Sequence, residues 1–177
     1  MKQTILENRK LAAVVLCITV VVSLLGIGSM KVRSVGNAPL EYYNSNMAAD
    51  FAARETAAGS LIALAEESGV DDGLVQRAQA ALDASCEADE PSARYSAGVT
   101  MKTAVELMYN AMPSDERDKT GSPAQMAWSE FTSRTAILSH AVPEYNELAR
   151  QAAGKLSGFP ASVLAKVVGV SPEEMVA

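Results

Sequence analysis

The sequence predicts an all-α protein, in which one N-terminal transmembrane helix is followed by an antiparallel bundle of three to four long helices. Residues 11–30 form a run of twenty residues without a charge or a proline. Alanine is frequent and aromatic residues make up only 5% of the chain, and alanine favours helix because it loses no side-chain entropy there. After residue 40, apolar residues recur at the spacings of one helix face.

Composition and pattern divide the chain into five segments. They are a short basic tail (1–10), a transmembrane helix (11–30), a linker (31–39), a helical bundle domain (40–158), and an apolar C-terminal segment with its tail (159–177). The linker is predicted because Gly36, Asn37 and Pro39 are residues that commonly break regular structure.

The apolar run has the length of a membrane span, since twenty helical residues extend about 30 Å, the thickness of the hydrocarbon core. The alternative is a cleaved signal peptide, but this run is longer than a usual apolar region of about 7–15 residues and no clear cleavage site follows. We therefore expect a retained anchor. The residues predicted to form it are Leu11, Val14, Val15, Leu16, Ile18, Val20, Val21, Leu24, Leu25 and Ile27.

Charge indicates orientation and excludes one class of partner. Three Lys/Arg residues precede the run and two closely follow it, which favours a cell-membrane protein whose domain lies on the extracytoplasmic side. The rest of the chain carries 12 basic and 20 acidic residues, so a nucleic-acid partner is not expected. Cys17 lies in the run and Cys86 is the other cysteine, so neither an intradomain disulfide nor a zinc site is predicted. No metal or other cofactor is expected.

The first half of the bundle contains three predicted helical stretches. The first covers residues 40–68 and ends at Gly69, and the second is capped by Asp71 or Asp72. A break near Pro91 precedes a third stretch that reaches Met112. The stripe of the first helix is Tyr43, Met47, Phe51, Ala58, Leu61 and Ala65. Residues 113–123 are predicted to form a loop from their composition.

The last long helix has the clearest pattern in the chain. Ser122 is a predicted N-cap and Pro123 a first helical residue. Two seams with a seven-residue repeat, as in bundle packing, consist of Phe131, Leu138, Tyr145 and Ala152, and of Trp128, Thr135, Val142, Ala149 and Leu156. We expect Pro143 to kink this helix and Gly158 to end it.

One motif in this helix resembles a known family. Tyr145-Asn146 is followed, after twelve residues, by Phe159-Pro160 and an apolar end, and Leu138 lies seven residues before Tyr145. This spacing is similar to the C-terminal signature of the LemA family of bacterial membrane-anchored helical proteins, and the chain resembles a divergent member. The resemblance implies a helical bundle tethered to the cell envelope, and it brings no catalytic residues.

The only histidine is the first candidate for chemistry. His140 and Glu144 are one helical turn apart, and a base with its orienting carboxylate could serve Ser139. An ordinary pair on a helix face has the same spacing, and we expect the ordinary pair. No phosphate-binding or nucleophile motif is present in the sequence.

Three other groups have a structural and a functional interpretation. The acidic residues are expected to be a solvated face rather than a calcium site or a surface for a basic partner, because their spacing is irregular; they are Glu66, Glu67, Asp71, Asp72, Asp83, Glu87, Asp89 and Glu90. Trp128 is expected in the core rather than at an interface. Met101, Met108, Met112 and Met126 are expected to fill gaps in the core.

The apolar C-terminal segment has two interpretations. It either covers the end of the bundle or forms a docking face for a membrane or a partner. The residues of this docking face are Val163, Leu164, Val167 and Val168.

The sequence therefore predicts a non-enzymatic envelope scaffold or adaptor. The alternative is an accessory or regulatory subunit of a membrane enzyme or transporter. Expected partners are the lipid bilayer, an unidentified protein and, as a further option, a second copy of the chain.

Overall fold

The protein is all-α over the residues that its computed structural model describes, 9–176, with side chains described from position 13 onward except at 17, 21, 24 and 25. No strand occurs among these residues, which confirms the predicted class. The helices are α1 (Arg9–Gly36), α2 (Ala38–Asn46), α3 (Ala48–Glu67), α4 (Asp72–Glu87), α5 (Pro91–Ala111), α6 (Ser114–Arg117), α7 (Pro123–Leu156) and α8 (Ala161–Val168).

The chain forms two compact units. One comprises the chain up to Ala38 together with Ala149–Pro172, and the other comprises Pro39–Leu148 together with the residues from Glu173 onward. Helix α7 thus contributes residues to both. The expected bundle domain of residues 40–158 therefore differs from the larger unit, which ends at Leu148 and regains the C-terminal tail.

The larger unit has a core formed by α3, α4, α5 and the beginning of α7. All six residues of the stripe predicted for the first helix are buried, as are Met101, Val105, Met108 and Met112 of the third stretch. On α4, Ala78, Ala81 and Leu82 are buried as well. The apolar spacings therefore identified the core correctly, because one face of each helix meets its neighbours.

The predicted starts of three helices are also confirmed. The Asp71 carboxylate accepts hydrogen bonds from the backbone N–H groups of Gly73 (3.0 Å) and Leu74 (3.3 Å). Pro91 is the first residue of α5. The Ser122 hydroxyl accepts from the Gln125 N–H at 3.1 Å, one turn into α7. These side chains satisfy N–H groups that have no partner within the helix.

Gly69 follows the end of α3 with φ +69°, a conformation that strongly favours glycine. The predicted stop of the first bundle helix is therefore confirmed.

Helix α7 shows the predicted seams. Phe131, Leu138, Tyr145 and Ala152 are all buried, and in the second seam Val142, Ala149 and Leu156 are buried while Trp128 and Thr135 are partly buried. The helix continues through Pro143 and ends at Leu156, two residues before the expected Gly158.

The predicted linker at residues 31–39 is wrong. Helix α1 continues to Gly36, and the Asn37 N–H donates to the Arg33 carbonyl at 2.8 Å before α2 begins at Ala38. Pro39 is the second residue of α2, where its missing N–H removes no helical hydrogen bond. A Cβ at Gly36 would lie 1.9 Å from Val170 Cγ1, so this glycine permits a close approach rather than breaking the chain.

Two smaller expectations are also corrected. The first bundle helix is two helices, α2 and α3, which meet at Met47, and the loop at residues 113–123 contains the one-turn helix α6. Both differences are local. Met47 is buried, so its apolar side chain still belongs to the predicted stripe.

The smaller unit is built on contacts between α1 and α8. Its core consists of Val32, Leu156, Leu164 and Ala165. A Cβ at Gly28 would lie 2.8 Å from Leu164 Cδ1, so this glycine lets α8 approach the backbone of α1.

Candidate functional site

Helix α1 exposes the apolar side chains of the predicted anchor. Leu16 and Ile27 are each 67% exposed. The other anchor residues with described side chains, which are also exposed, are Val14, Val15, Ile18 and Val20. The side chains of Leu11, Val21, Leu24 and Leu25 lie outside the described residues. An uncovered apolar surface of this extent usually marks a contact with a membrane or another protein.

The described side chains leave out six positions of the run 11–30. Over the part of the chain that the structure describes, no helix is both long enough and apolar enough to cross a membrane.

Formal charge separates between the two compact units. In the sequence, residues 1–38 and 149–172 contain eight Lys/Arg residues and one acidic residue, Glu7, for a net charge of +7. The remaining residues contain seven Lys/Arg and twenty Asp/Glu, for a net charge of −13. The basic charge therefore accompanies the exposed apolar helix, and the acidic charge accompanies the larger helical unit.

A buried charge cluster lies inside the larger unit. The Glu55 carboxylate of α3 accepts hydrogen bonds from Arg94 Nε at 2.9 Å and from Ser85 Oγ at 2.7 Å, and it forms an ion pair with Arg94 Nη2. Arg94 Nη1 donates to the Tyr43 hydroxyl at 3.1 Å. Side chains of α4 and α5 thus bond to one carboxylate of α3, and Arg94 links it to Tyr43 of α2.

Arg54 lies beside this cluster and is only 3% exposed. Its Cζ is 5.0 Å from the centre of the Phe51 ring, and Arg94 Cζ is 5.6 Å from the same centre. Among the described residues, Arg54 Nε and Nη2 have no hydrogen-bond partner. A Cβ at Gly98 would lie 2.0 Å from Nη2, so this glycine of α5 provides the space that the guanidinium occupies.

The cluster fixes the charge of its carboxylate. Burial raises the pKa of Glu55, but hydrogen bonds from Arg94 and Ser85 and the charges of both arginines outweigh burial, so the pKa is lowered. Burial also lowers the pKa of Arg54, although a guanidinium stays protonated at neutral pH. The hydrogen bond to Glu55 raises the pKa of Arg94. The ion pair and its hydrogen-bond partners come from four helices. The cluster contains no base or nucleophile that is positioned to act on a substrate.

The cluster was missed by reasoning from sequence. A usable signal was present, because Arg54 and Glu55 lie three and four residues after Phe51, the positions that face the core in a helix with this stripe. A charged residue at such a position indicates either that the apolar face of the helix has been assigned incorrectly or that the charge is buried in an ion pair.

The positions of the family signature have distinct environments. Leu138 and Tyr145 are buried, and burial raises the pKa of the Tyr145 hydroxyl. Asn146 Nδ2 donates to the Met175 carbonyl at 2.9 Å, and the Met175 N–H donates to Asn146 Oδ1 at 2.7 Å. Phe159 and Pro160 are exposed.

The side chains of the candidate catalytic group around His140 do not form hydrogen bonds with one another. His140 is exposed, and Glu144 accepts a hydrogen bond from the Tyr42 hydroxyl at 3.0 Å. The Ser139 hydroxyl donates to the Ala136 carbonyl at 2.7 Å. The three groups therefore bond to other partners or face solvent.

The remaining candidates are structural or solvated. The eight acidic residues singled out above are exposed, and no group of three or more metal-binding side chains occurs in the described part of the chain. Trp128 is partly buried and stacks on Tyr109 with ring centres 4.3 Å apart. Met126 is exposed, unlike the three methionines of the core, so its expected gap-filling role is wrong.

The four residues of the predicted docking face differ in their burial. Leu164 is buried against α1, Val168 is half-buried, and Val163 and Val167 are exposed. The docking prediction is therefore corrected for Leu164, because its side chain packs inside the smaller unit.

A pocket of about 580 Å³ lies near the start of α7 and is lined by Glu67, Ser68, Glu116, Lys119 and Ser122, among others. Glu116 accepts a hydrogen bond from Ser68, and the Ser122 hydroxyl caps α7. These groups hydrogen-bond to one another or cap a helix, and they do not form a catalytic set.

Comparison with known proteins gives no relative: no family model, no curated protein and no solved structure matches this chain.

Proposed function

We propose that this protein is a membrane-anchored, LemA-like helical protein that acts without enzymatic chemistry, as a scaffold or adaptor of the cell envelope. The anchor is residues 11–30 within α1, and the acidic larger unit is the part that binds other proteins. The domain is proposed to lie on the extracytoplasmic side.

The single observation that supports this proposal best is the exposure of an apolar run along one long helix. Helix α1 has 28 residues, and its run of twenty uncharged residues is about 30 Å long, the thickness of a bilayer core. Side chains such as Leu16 and Ile27 remain exposed on it. Covering them with lipid chains removes their contact with water, which is favourable for apolar surface.

The charge distribution supports the same arrangement. Basic residues flank the apolar run, where they can contact anionic lipid headgroups, and the larger unit with a net charge of −13 is repelled from such headgroups. The Tyr145-Asn146 to Phe159-Pro160 spacing adds the LemA resemblance, which implies the same plan.

The non-enzymatic part of the proposal rests on the chemistry of the candidate groups. Glu55 and Arg94 neutralise each other inside the bundle, and Ser139 is bonded to backbone rather than to His140. A binding role is therefore favoured over catalysis, and exposed apolar residues of the larger unit such as Leu107 and Ile137 are candidates for contact with a partner.

The proposal is tested by site-specific photocrosslinking of the full chain in native membranes. A photoreactive residue is placed at Leu107 or Ile137, with exposed Ser129 as the control position. A scaffold or adaptor should give a discrete protein adduct from at least one apolar position and none from the control. A partner that is an enzyme or transporter would favour the accessory-subunit alternative, and absence of any discrete adduct would contradict both.

A further inference from the structure

An apolar stripe on α8, extended by the residue before its N-cap, remains exposed within the smaller unit. Phe159 is 88% exposed, Val163 53% and Val167 69%. Val163 and Val167 are four residues apart and therefore lie on one side of α8, and Phe159 lies just before the N-cap of the helix. Leu164 and Ala165, on the other side, are buried in the core that α8 shares with α1.

The contacts of Leu164 locate this stripe along α1. Leu164 meets α1 at Gly28, and it shares a core with Val32. Gly28 lies in the last turn of the apolar run 11–30, and Val32 lies just beyond the run. Helix α8 therefore packs on α1 at the point where the proposed anchor leaves the hydrocarbon core.

The charge of this region fits an anionic lipid surface. Lys31 and Arg33 on α1 and Lys166 on α8 are exposed, and residues 9–38 and 149–172 contain no Asp or Glu. Basic residues near a membrane surface are attracted to anionic headgroups within a Debye length. Exposed apolar residues beside such lysines are typical of helices that lie in the membrane interface.

We propose that α8 is an interfacial membrane helix, which inserts Phe159, Val163 and Val167 among the lipid headgroups of the bilayer that α1 spans. Lys166 then contacts anionic headgroups, and Leu164 holds α8 against α1. This inference rests on the proposed membrane anchoring. It adds a second lipid contact that fixes the smaller unit at the membrane surface rather than leaving α1 as a simple tether.

The test measures the depth of residue 163 in the full chain, reconstituted into vesicles of phosphatidylcholine and phosphatidylglycerol. Cys17 and Cys86 are replaced by alanine, and Val163→Cys carries an environment-sensitive fluorophore. Nitroxide-bearing lipids with a shallow or a deep spin label act as quenchers. A label at Val22→Cys reports the anchor, and a label at exposed Ser129→Cys serves as the aqueous control.

The inference predicts a blue-shifted emission at position 163 and stronger quenching by the shallow nitroxide than by the deep one, as for a helix about 5–10 Å into the interface. Quenching at position 163 should weaken when phosphatidylglycerol is omitted, and also when Phe159→Ser and Val167→Ser are combined. The label at position 22 should be quenched by the deep nitroxide in every case.

Two results overturn the inference alone, and a third overturns the proposed anchoring with it. If position 22 is quenched and position 163 is not, the anchor stands and α8 does not contact lipid. A position 163 label that is shielded from both nitroxide and aqueous iodide would mean that a second copy of the chain covers the stripe. If neither position is quenched by lipid, the proposed anchoring itself fails.

Discussion

Asn146 and Met175 are joined by two hydrogen bonds, because the Asn146 side-chain amide donates to the Met175 carbonyl at 2.9 Å and accepts from the Met175 N–H at 2.7 Å. Met175 is itself buried. The side chain of Asn146 thus supplies the hydrogen-bond partners of both the N–H and the carbonyl group of Met175. Twenty-nine residues separate the two positions, so the pair closes a long loop that includes α8.

Replacing Asn146 with alanine should release the tail. The buried backbone groups of Met175 would lose their partners, at a cost of about 1–3 kcal/mol for an unsatisfied buried group. The measurement is hydrogen exchange at the Met175 amide, which we expect to lose protection. Asn44→Ala, at an exposed position of α2, is the control and should leave this amide protected. Unchanged protection in Asn146→Ala would show that the pair does not hold the tail.

Replacing Gly98 with alanine should destabilise the larger unit. The new Cβ would lie 2.0 Å from Arg54 Nη2, and the enclosed guanidinium cannot move without disturbing its stacking on Phe51. We expect a loss of about 1–3 kcal/mol, as for other overpacked cores, measured by chemical denaturation in detergent.

The control for this prediction is Gly59→Ala on α3, where a Cβ would meet Leu82 Cδ2 at an ordinary 3.7 Å. That variant should be neutral or more stable by up to about 1 kcal/mol, since alanine is the better helix former. In an Arg54→Ala background the cost of Gly98→Ala should disappear. A cost that persists there would contradict the proposed contact.

The Glu55 cluster predicts a pH dependence of stability. The folded state lowers the pKa of Glu55, so its stabilising contribution is fully present above the unfolded value of about 4.3. That contribution is lost as the pH falls through the folded pKa and Glu55 takes up a proton. The difference in unfolding free energy between wild type and Glu55→Gln should therefore shrink on acidification. A constant difference from pH 7 to acid would contradict the assignment.

Much of the fold could be predicted from the sequence because it depends on local chemistry. Asp71 and Ser122 precede helices and cap them, Gly69 has the φ that favours glycine, and the stripe through Leu138 faces the core. Each of these features follows from one residue and its near neighbours in the chain.

The features that were missed depend on contacts between distant residues. Gly36 was interpreted as a breaker, but its missing side chain accommodates Val170. Leu164 was interpreted as part of a docking face, but it packs on α1. The burial of Arg54 depends on Gly98 of another helix, and no local pattern shows that pairing.

The central claim, that α1 anchors the chain in a membrane, is tested most directly by alkaline carbonate extraction of the full chain and of Val20→Arg combined with Val22→Arg. Each arginine at the centre of a span costs about 2.5–3.5 kcal/mol of insertion free energy. We expect the unmodified chain to stay in the membrane pellet and the double variant to appear in the supernatant. Release of the intact unmodified chain by carbonate would contradict the claim.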